Sequence, residues 1–239
     1  KNFYTRVSER LRHKDRAITI RDYEQIVLEA FPDIHKVKCL NHTRFEPKET
    51  ESATVYNEQA PGHVTVIAIP DLRNKNAINP LRPYTSRSRL EGIKEVLHKR
   101  GNCNVTLHVE NPAFEEIRIE TKVVLTADAS GNDTFYKTLL QDELVQFLTP
   151  WAYTINSDIN FGGRVTKSEI INFMEERSYV DFILDLKMFF KKSHSSIESP
   201  DTDEIVASTA RSILVSAASS KHVVDIKPKP NLPDDSGCE

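Results

Sequence analysis

The residues whose types and spacing can do chemistry are few, and two cysteine–histidine pairs come first: Cys39 with His35, and Cys103 with His98. A cysteine nucleophile needs a base within hydrogen-bond reach and a neighbour that lowers its pKa. Cys39 lies in a strand pattern. There a four-residue step keeps two side chains on one face but about 13 Å apart. That distance excludes activation by His35, and both cysteines read as inert thiols packed among apolar groups. The third cysteine, Cys238, is far from both, and no C-x-x-C or zinc-type Cys/His spacing occurs. The set is neither a disulfide framework nor a metal site, and it fits folding in a reducing compartment.

Asp181 and Asp185 share one face of a strand pattern, as an acid/base pair would need. The same alternation is what solvent-facing carboxylates opposite a core face produce, and that is the reading we adopt. Asp201, Asp203 and Glu204 crowd three carboxylates together but lack the glycine and full ligand set of a hard-cation loop. They read as solvated groups at the end of a linker, since Lys191–Asp203 is Ser-rich and charged throughout. Gly162-Gly163 precedes a helix, yet neither the Walker lysine spacing nor G-x-G-x-x-G is present. A tight turn that lets Phe161 pack accounts for them. No catalytic residue, cofactor or metal is expected, and the chain reads as a non-enzyme.

Arg73, Lys75, Arg82, Arg87 and Arg89 face Asp71 alone within one connecting stretch, in a chain whose formal net charge is −3. Only Tyr84 interleaves with them, so no base-stacking platform is built and nucleic acid is not an expected partner. A long connector without apolar periodicity is functional more often than idle. These five residues are therefore the candidate partner interface, suited to an acidic protein surface.

The elements that position these groups follow from periodicity. A helix is expected from Thr19 to Phe31, with Thr19 and Asp22 as a capping box, Ile20, Tyr23, Ile26, Val27 and Ala30 on one face, and Pro32 as its stop. Strands are expected over Ile34–Leu40 and His63–Ile69, the latter apolar on both faces near its end. A helix over Arg89–Arg100 ends at Gly101, and Asn104–Glu110 alternates as a strand. Further on come a strand at Ile117–Leu125, a helix capped at Asp133 and halted by Pro150, a Thr166/Glu169 capping box opening another helix, and a strand at Tyr179–Leu186. Ile213–Val215 and His222–Ile226 read as a hairpin. Asn41–Gly62 reads as a long connection, and the stretch after Lys227 as a disordered tail.

The expected architecture is α+β: two small helix-on-sheet domains, α-β-β-α-β and β-α-α-β, plus a C-terminal β-hairpin. The boundaries fall at 1–110, 111–192 and 193–239. Hydrophobic residues are 38% of the chain, enough for a core of this size, and no apolar run nears the roughly 18 residues that span a bilayer. Direct membrane insertion is not expected.

Six segments in order carry a resemblance. They are T-I-R-D-Y-E-Q-I-V-L-E-A-F-P-D-I-H-K-V-K-C (19–39), H-V-T-V-I-A-I-P-D-L-R-N-K-N-A-I-N-P-L-R-P (63–83), V-E-N-P-A-F-E-E-I-R-I (109–119), F-L-T-P-W-A (147–152), I-N-F-G-G-R-V-T-K-S-E-I (159–170) with Y-V-D-F-I (179–183), and D-E-I-V-A-S-T-A-R-S-I-L-V-S-A (203–217) followed by His222. Together they resemble the C-terminal half of the baseplate J-like family of contractile injection systems, the phage-tail-like and type VI-like machines. Family members are longer, so the resemblance implies a C-terminal portion. It also implies a structural role in a sixfold ring, with other wedge subunits, the spike hub and sheath-initiating proteins as partners. Assembly in the cytoplasm would precede release or membrane docking of the particle. Phe147, Pro150, Trp151, Phe161, Gly162 and Gly163 then read as structural motif residues. Rival readings are a small-molecule-binding or regulatory α+β domain with long loops closing over a ligand, which would need a deep apolar pocket, and a hydrolase with a site of perturbed pKa values.

Overall fold

The computed structural model describes residues 7–8, 10–12, 14–47, 54–71, 79–154, 157–193, 195 and 197–229. The fold is α+β, as the periodicities require. The chain divides into two compact units, and neither is one continuous stretch. The first holds 1–114, 159–162 and 207–213; the second holds 115–158, 163–206 and 214–239.

In the first unit, β1 (Ile34–Asn41) pairs antiparallel with β4 (His63–Pro70), which pairs parallel with β5 (Thr106–Glu110). Helices α1 (Ile20–Ala30) and α2 (Arg87–His98) supply the apolar stripe that this sheet needs. Tyr23, Ile26, Val27, Ile93 and Leu97 pack with Val37, Cys39, Val66 and Ala68 in one buried cluster. The predicted capping box is present: the Asp22 N–H donates to Thr19 Oγ1 at 3.2 Å, and the Thr19 N–H donates to Asp22 Oδ2 at 2.8 Å. Two orphan donors at the helix start are thereby satisfied. Ile67 and Ile69 point to the opposite face of β4 and are also fully buried. The segments 159–162 and 207–213 return to this unit from later in the chain.

The stretch read as a bare connection at Asn41–Gly62 contains an antiparallel ribbon, β2 (Arg44–Pro47) with β3 (Thr54–Asn57). Each strand is too short for alternation to stand out, and that is why periodicity missed it.

In the second unit, β6 (Ala113–Leu125) runs antiparallel to β8 (Val180–Lys191). The helices are α3 (Asp133–Leu148) and α4 (Lys167–Glu175). The Thr166/Glu169 box opens α4 as expected, with N–H to side-chain distances of 3.3 and 2.9 Å. The first residue of α3 is Asp133, and its cap is Asn132, which makes no side-chain capping bond. A second short ribbon pairs β7 (Arg164–Thr166) with β9 (Glu204–Val206).

The C-terminal hairpin is a correction. β10 (Ser212–Ser216) and β11 (Val223–Lys227) do not pair with each other; both pair with β6. β11 is parallel to β6, and the bonds Ala113 N–H to Arg211 O and Ala217 N–H to Ile117 O run β10 in the same sense. The two are pieces of one interrupted edge, broken by a 3₁₀ turn at Ser219–Lys221. Two short strands joined by a small polar loop look like a hairpin in sequence. The long β6 offers each a partner that their own loop does not.

The Ser-rich stretch read as a solvated linker is partly a strap along the edge of β8. Ser199 and Thr202 donate their N–H groups to Phe190 O (2.7 Å) and Met188 O (3.3 Å). In return Asp201 Oδ1 accepts from the Met188 N–H at 2.8 Å, and Ser199 Oγ from the Phe190 N–H at 3.1 Å. Satisfying an edge in this way removes a template for unwanted strand pairing.

Candidate functional site

Of the five basic residues, the three that are described are held in different ways. Arg73 and Lys75 lie outside the described residues. Arg82 is half-buried in the turn before α2. Arg87 pairs with Glu91 one helical turn on, at 3.0 Å, with both side chains largely in solvent. Arg89 is tied inward: it pairs with Asp33 at 2.9 Å and its guanidinium lies 5.3 Å from the Phe31 ring centre. The helix therefore keeps one arginine as a brace between α2 and the end of α1 and leaves another facing water.

The F-L-T-P-W motif lies in the second unit, while F-G-G straddles the division, with Phe161 and Gly162 in the first and Gly163 in the second. In the first, Phe161 sits beneath two lysines of β1, with Lys36 Nζ at 5.9 Å and Lys38 Nζ at 5.8 Å from its ring centre. Lys36 Nζ also donates to Ile159 O at 2.6 Å. Gly162 takes φ +64°, and its N–H donates to Ser212 O at 2.9 Å. Nothing stands where its Cβ would be, so the turn asks for glycine through its backbone angle alone. Gly163, the next residue, is half-buried.

In the second unit, Phe147 stacks on Phe173 with ring centres 4.2 Å apart, and the Arg177 guanidinium covers Phe173 at 4.4 Å. Tyr179 donates to Glu143 at 2.8 Å and stacks on Tyr136 at 5.0 Å. This column of aromatic and charged groups joins α3 to α4 and β8. Pro150 opens the 3₁₀ turn that carries Trp151. Trp151 is half-buried, and its Nε1 is shielded from water without a hydrogen-bond partner among the described residues. Trp151→Phe is therefore expected to cost less than about 1.5 kcal/mol, because an aromatic ring is kept and the removal of an unmet donor offsets part of the lost volume. A urea denaturation curve showing a loss above about 1.5 kcal/mol would give the indole N–H a partner after all.

The groups suspected of chemistry are held in other ways. Burial, reinforced by the Glu24 carboxylate, pushes the Cys39 thiol up to about 12, while Glu24 Oε1 accepts the Cys39 N–H at 3.0 Å. Such a thiol is not a nucleophile at neutral pH. Asp185 pairs with Lys122 at 3.1 Å and Asp181 with Lys229 at 2.8 Å, so each carboxylate has its own ammonium. Lys167 Nζ stands 2.9 Å from both Asp201 and Asp203, filling with an ammonium the place a metal cation would take. Bonds from the Met188 N–H and from Lys167 hold the Asp201 carboxyl below its usual range.

Sequence reasoning passed over two histidine clusters. His63 on β4 and His108 on β5 approach to 2.9 Å, Nδ1 to Nε2, with Arg44 Nη1 3.3 Å from His63 Nε2. They are neighbours only through the parallel register that sets Thr65 opposite His108. His222 is buried at the break between β10 and β11, where its Nδ1 accepts the Ile119 N–H at 3.1 Å. No local pattern announces either. The second was visible only as the residue that closes the last resembling segment.

Among the described residues no three metal-ligating side chains converge, and no helix is long and apolar enough to cross a membrane. The fold is shared with a chain of the anti-feeding prophage (AFP) baseplate, seen by cryo-EM with sixfold symmetry imposed. The TM-score is 0.57 at 18% identity, over 89% of this chain and 40% of that one. The chain thus spans less than half the length of that structural relative. No curated protein matches the sequence. Residues 1–212 match the model of a family described as "Baseplate protein PVC11-like", and the chain belongs to that family of baseplate proteins. The resemblance seen in the sequence holds at the level of a baseplate protein; the baseplate J-like wedge assignment is finer than this match.

Proposed function

We propose that this chain is part of a baseplate wedge subunit of a contractile injection particle, linking the spike hub to sheath and tube by protein–protein contacts in a sixfold ring. The observation that carries the reading is the family match over residues 1–212. Negative-stain images of particles made with and without the gene test the role directly. Complete baseplates in its absence would end the proposal.

Within that reading the basic stretch Asp71–Arg89 is the contact with an acidic neighbour, where charge sets register and encounter rate. Arg89 already braces the fold, so the stretch is best tested at Arg73, Lys75 and Arg82. The triple change to Glu is expected to leave the chain folded, as read by urea denaturation, and to abolish ring assembly. A folded variant that assembles at wild-type yield removes this stretch from the interface.

A further inference from the structure

The β2–β3 ribbon is tied to the sheet of the first unit where β4 begins. The His42 N–H donates to His63 O at 2.8 Å, and the Ala60 N–H to His42 O at 2.7 Å. Thr65 Oγ1 donates to Thr43 O at 2.8 Å. Beside these backbone ties runs the chain Arg44–His63–His108, with contacts of 3.3 and 2.9 Å.

The direction of every proton in that chain is fixed. Arginine only donates, so His63 Nε2 must accept. The neutral His63 ring then carries its proton on Nδ1 and donates it toward His108 Nε2. His108 carries its own proton on Nδ1. Both contacts exist together only when both rings are neutral. An extra proton on His63 lands on Nε2 and faces the guanidinium N–H. On His108 it lands on Nε2 and faces the His63 N–H. In each case two donors meet and a contact is lost.

We infer that Arg44, His63 and His108 form a proton-sensitive clamp, which holds the β2–β3 ribbon to the sheet while both rings are neutral and releases it when either is protonated. The surrounding charges set the direction of the response. Burial first, then His63 on β4, Lys94 on α2 and Arg44 on β2, hold His108 below the ordinary histidine value of 6.5. The ribbon has other anchors away from the clamp: the Arg211 guanidinium lies 5.6 Å from the Tyr56 ring centre, and Glu58 Oε1 accepts the Ala210 N–H at 3.2 Å. Release therefore loosens the sheet end of the ribbon and leaves the unit folded.

Amide hydrogen exchange on the full 239-residue chain tests this, with the pH lowered from neutral until imidazole NMR signals report protonation. After correction for intrinsic rates, protection of the His42 and Ala60 amides is expected to fall about tenfold, a local opening, while Val66 and Ala68 are unchanged. In H63Q/H108Q, glutamine can accept through Oε1 and donate through Nε2 without titrating, so the fall should vanish. Flat protection in wild type once the rings are charged overturns the clamp, as does an equal fall in the double variant. Should that variant not fold, the ¹⁵N shifts of wild type at neutral pH decide, because a His63 proton on Nε2 is incompatible with the arrangement.

Discussion

Acidification from pH 6.5 to 4 is expected to cost the chain about 3 kcal/mol of stability through His222, and a His222→Asn variant is expected to escape that cost. The ring is 1% exposed and sits where the β10–β11 edge breaks. Its Nδ1 takes the place of a strand carbonyl by accepting the Ile119 N–H, and its Nε2 lies 2.8 Å from Ser216 Oγ. Ser216 passes its own proton to Ala217 O at 2.9 Å, so the histidine must donate from Nε2 and remain neutral. Burial pushes its pKa down to about 4; Arg118 adds to this, while the Ala217 backbone and Glu116 oppose it. A folded value below the unfolded one means that the unfolded chain binds the proton first. Stability is then full above about 6.5 and is lost as pH falls toward 4. Asparagine can offer Oδ1 to the Ile119 N–H but leaves unfilled volume, so the variant should begin about 1–2 kcal/mol below wild type at neutral pH. Urea denaturation of both proteins across this range isolates the term, since carboxylates titrate equally in each. The gap should close as pH drops and reverse before pH 4, and a gap that stays constant would remove His222 as the cause.

What the sequence could show and what it could not divides along physical lines. Periodicity reports which face of an element is buried. It therefore located α1, α2, α4, β1, β4 and β8, and the two capping boxes could be read because their partners are three residues apart. It does not report what covers a face. The return of 159–162 and 207–213 to the first unit left no local mark. The same limit made β10 and β11 look like each other's partners when β6 pairs with both. Of the candidate residues, the FGG turn was legible because a positive φ selects for glycine directly. The charges were not. Arg118 grips Glu198 across a sequence separation of 80, at 2.8–3.2 Å, and lies 4.3 Å from the Phe189 ring centre. Glu198 had been assigned to a solvated linker, since a charged and serine-rich stretch reads alike whether it is free or strapped to an edge.

Arg211 poses the same problem in its strongest form, and removing it is expected to cost about 3 kcal/mol. It lies in the segment that returns to the first unit, and its side chain is only 8% exposed. The guanidinium donates to Glu110 at the end of β5 and covers the Tyr56 ring. Its backbone carbonyl accepts the Ala113 N–H at 3.3 Å, so the side chain and main chain of one residue fasten the segment beside β5 and β6. Arg211→Met keeps most of the volume but strands the Glu110 carboxylate, which is 30% exposed and only partly able to recover hydration. Breaking one side of a buried pair costs more than removing both, because the survivor has lost its solvent and its partner. Arg211→Met with Glu110→Gln should therefore recover at least about 1 kcal/mol over Arg211→Met alone. Denaturation of the two single variants and the double closes the cycle. A single-variant loss below about 1 kcal/mol, or a double variant no more stable than Arg211→Met, would reduce this pair to an ordinary surface contact.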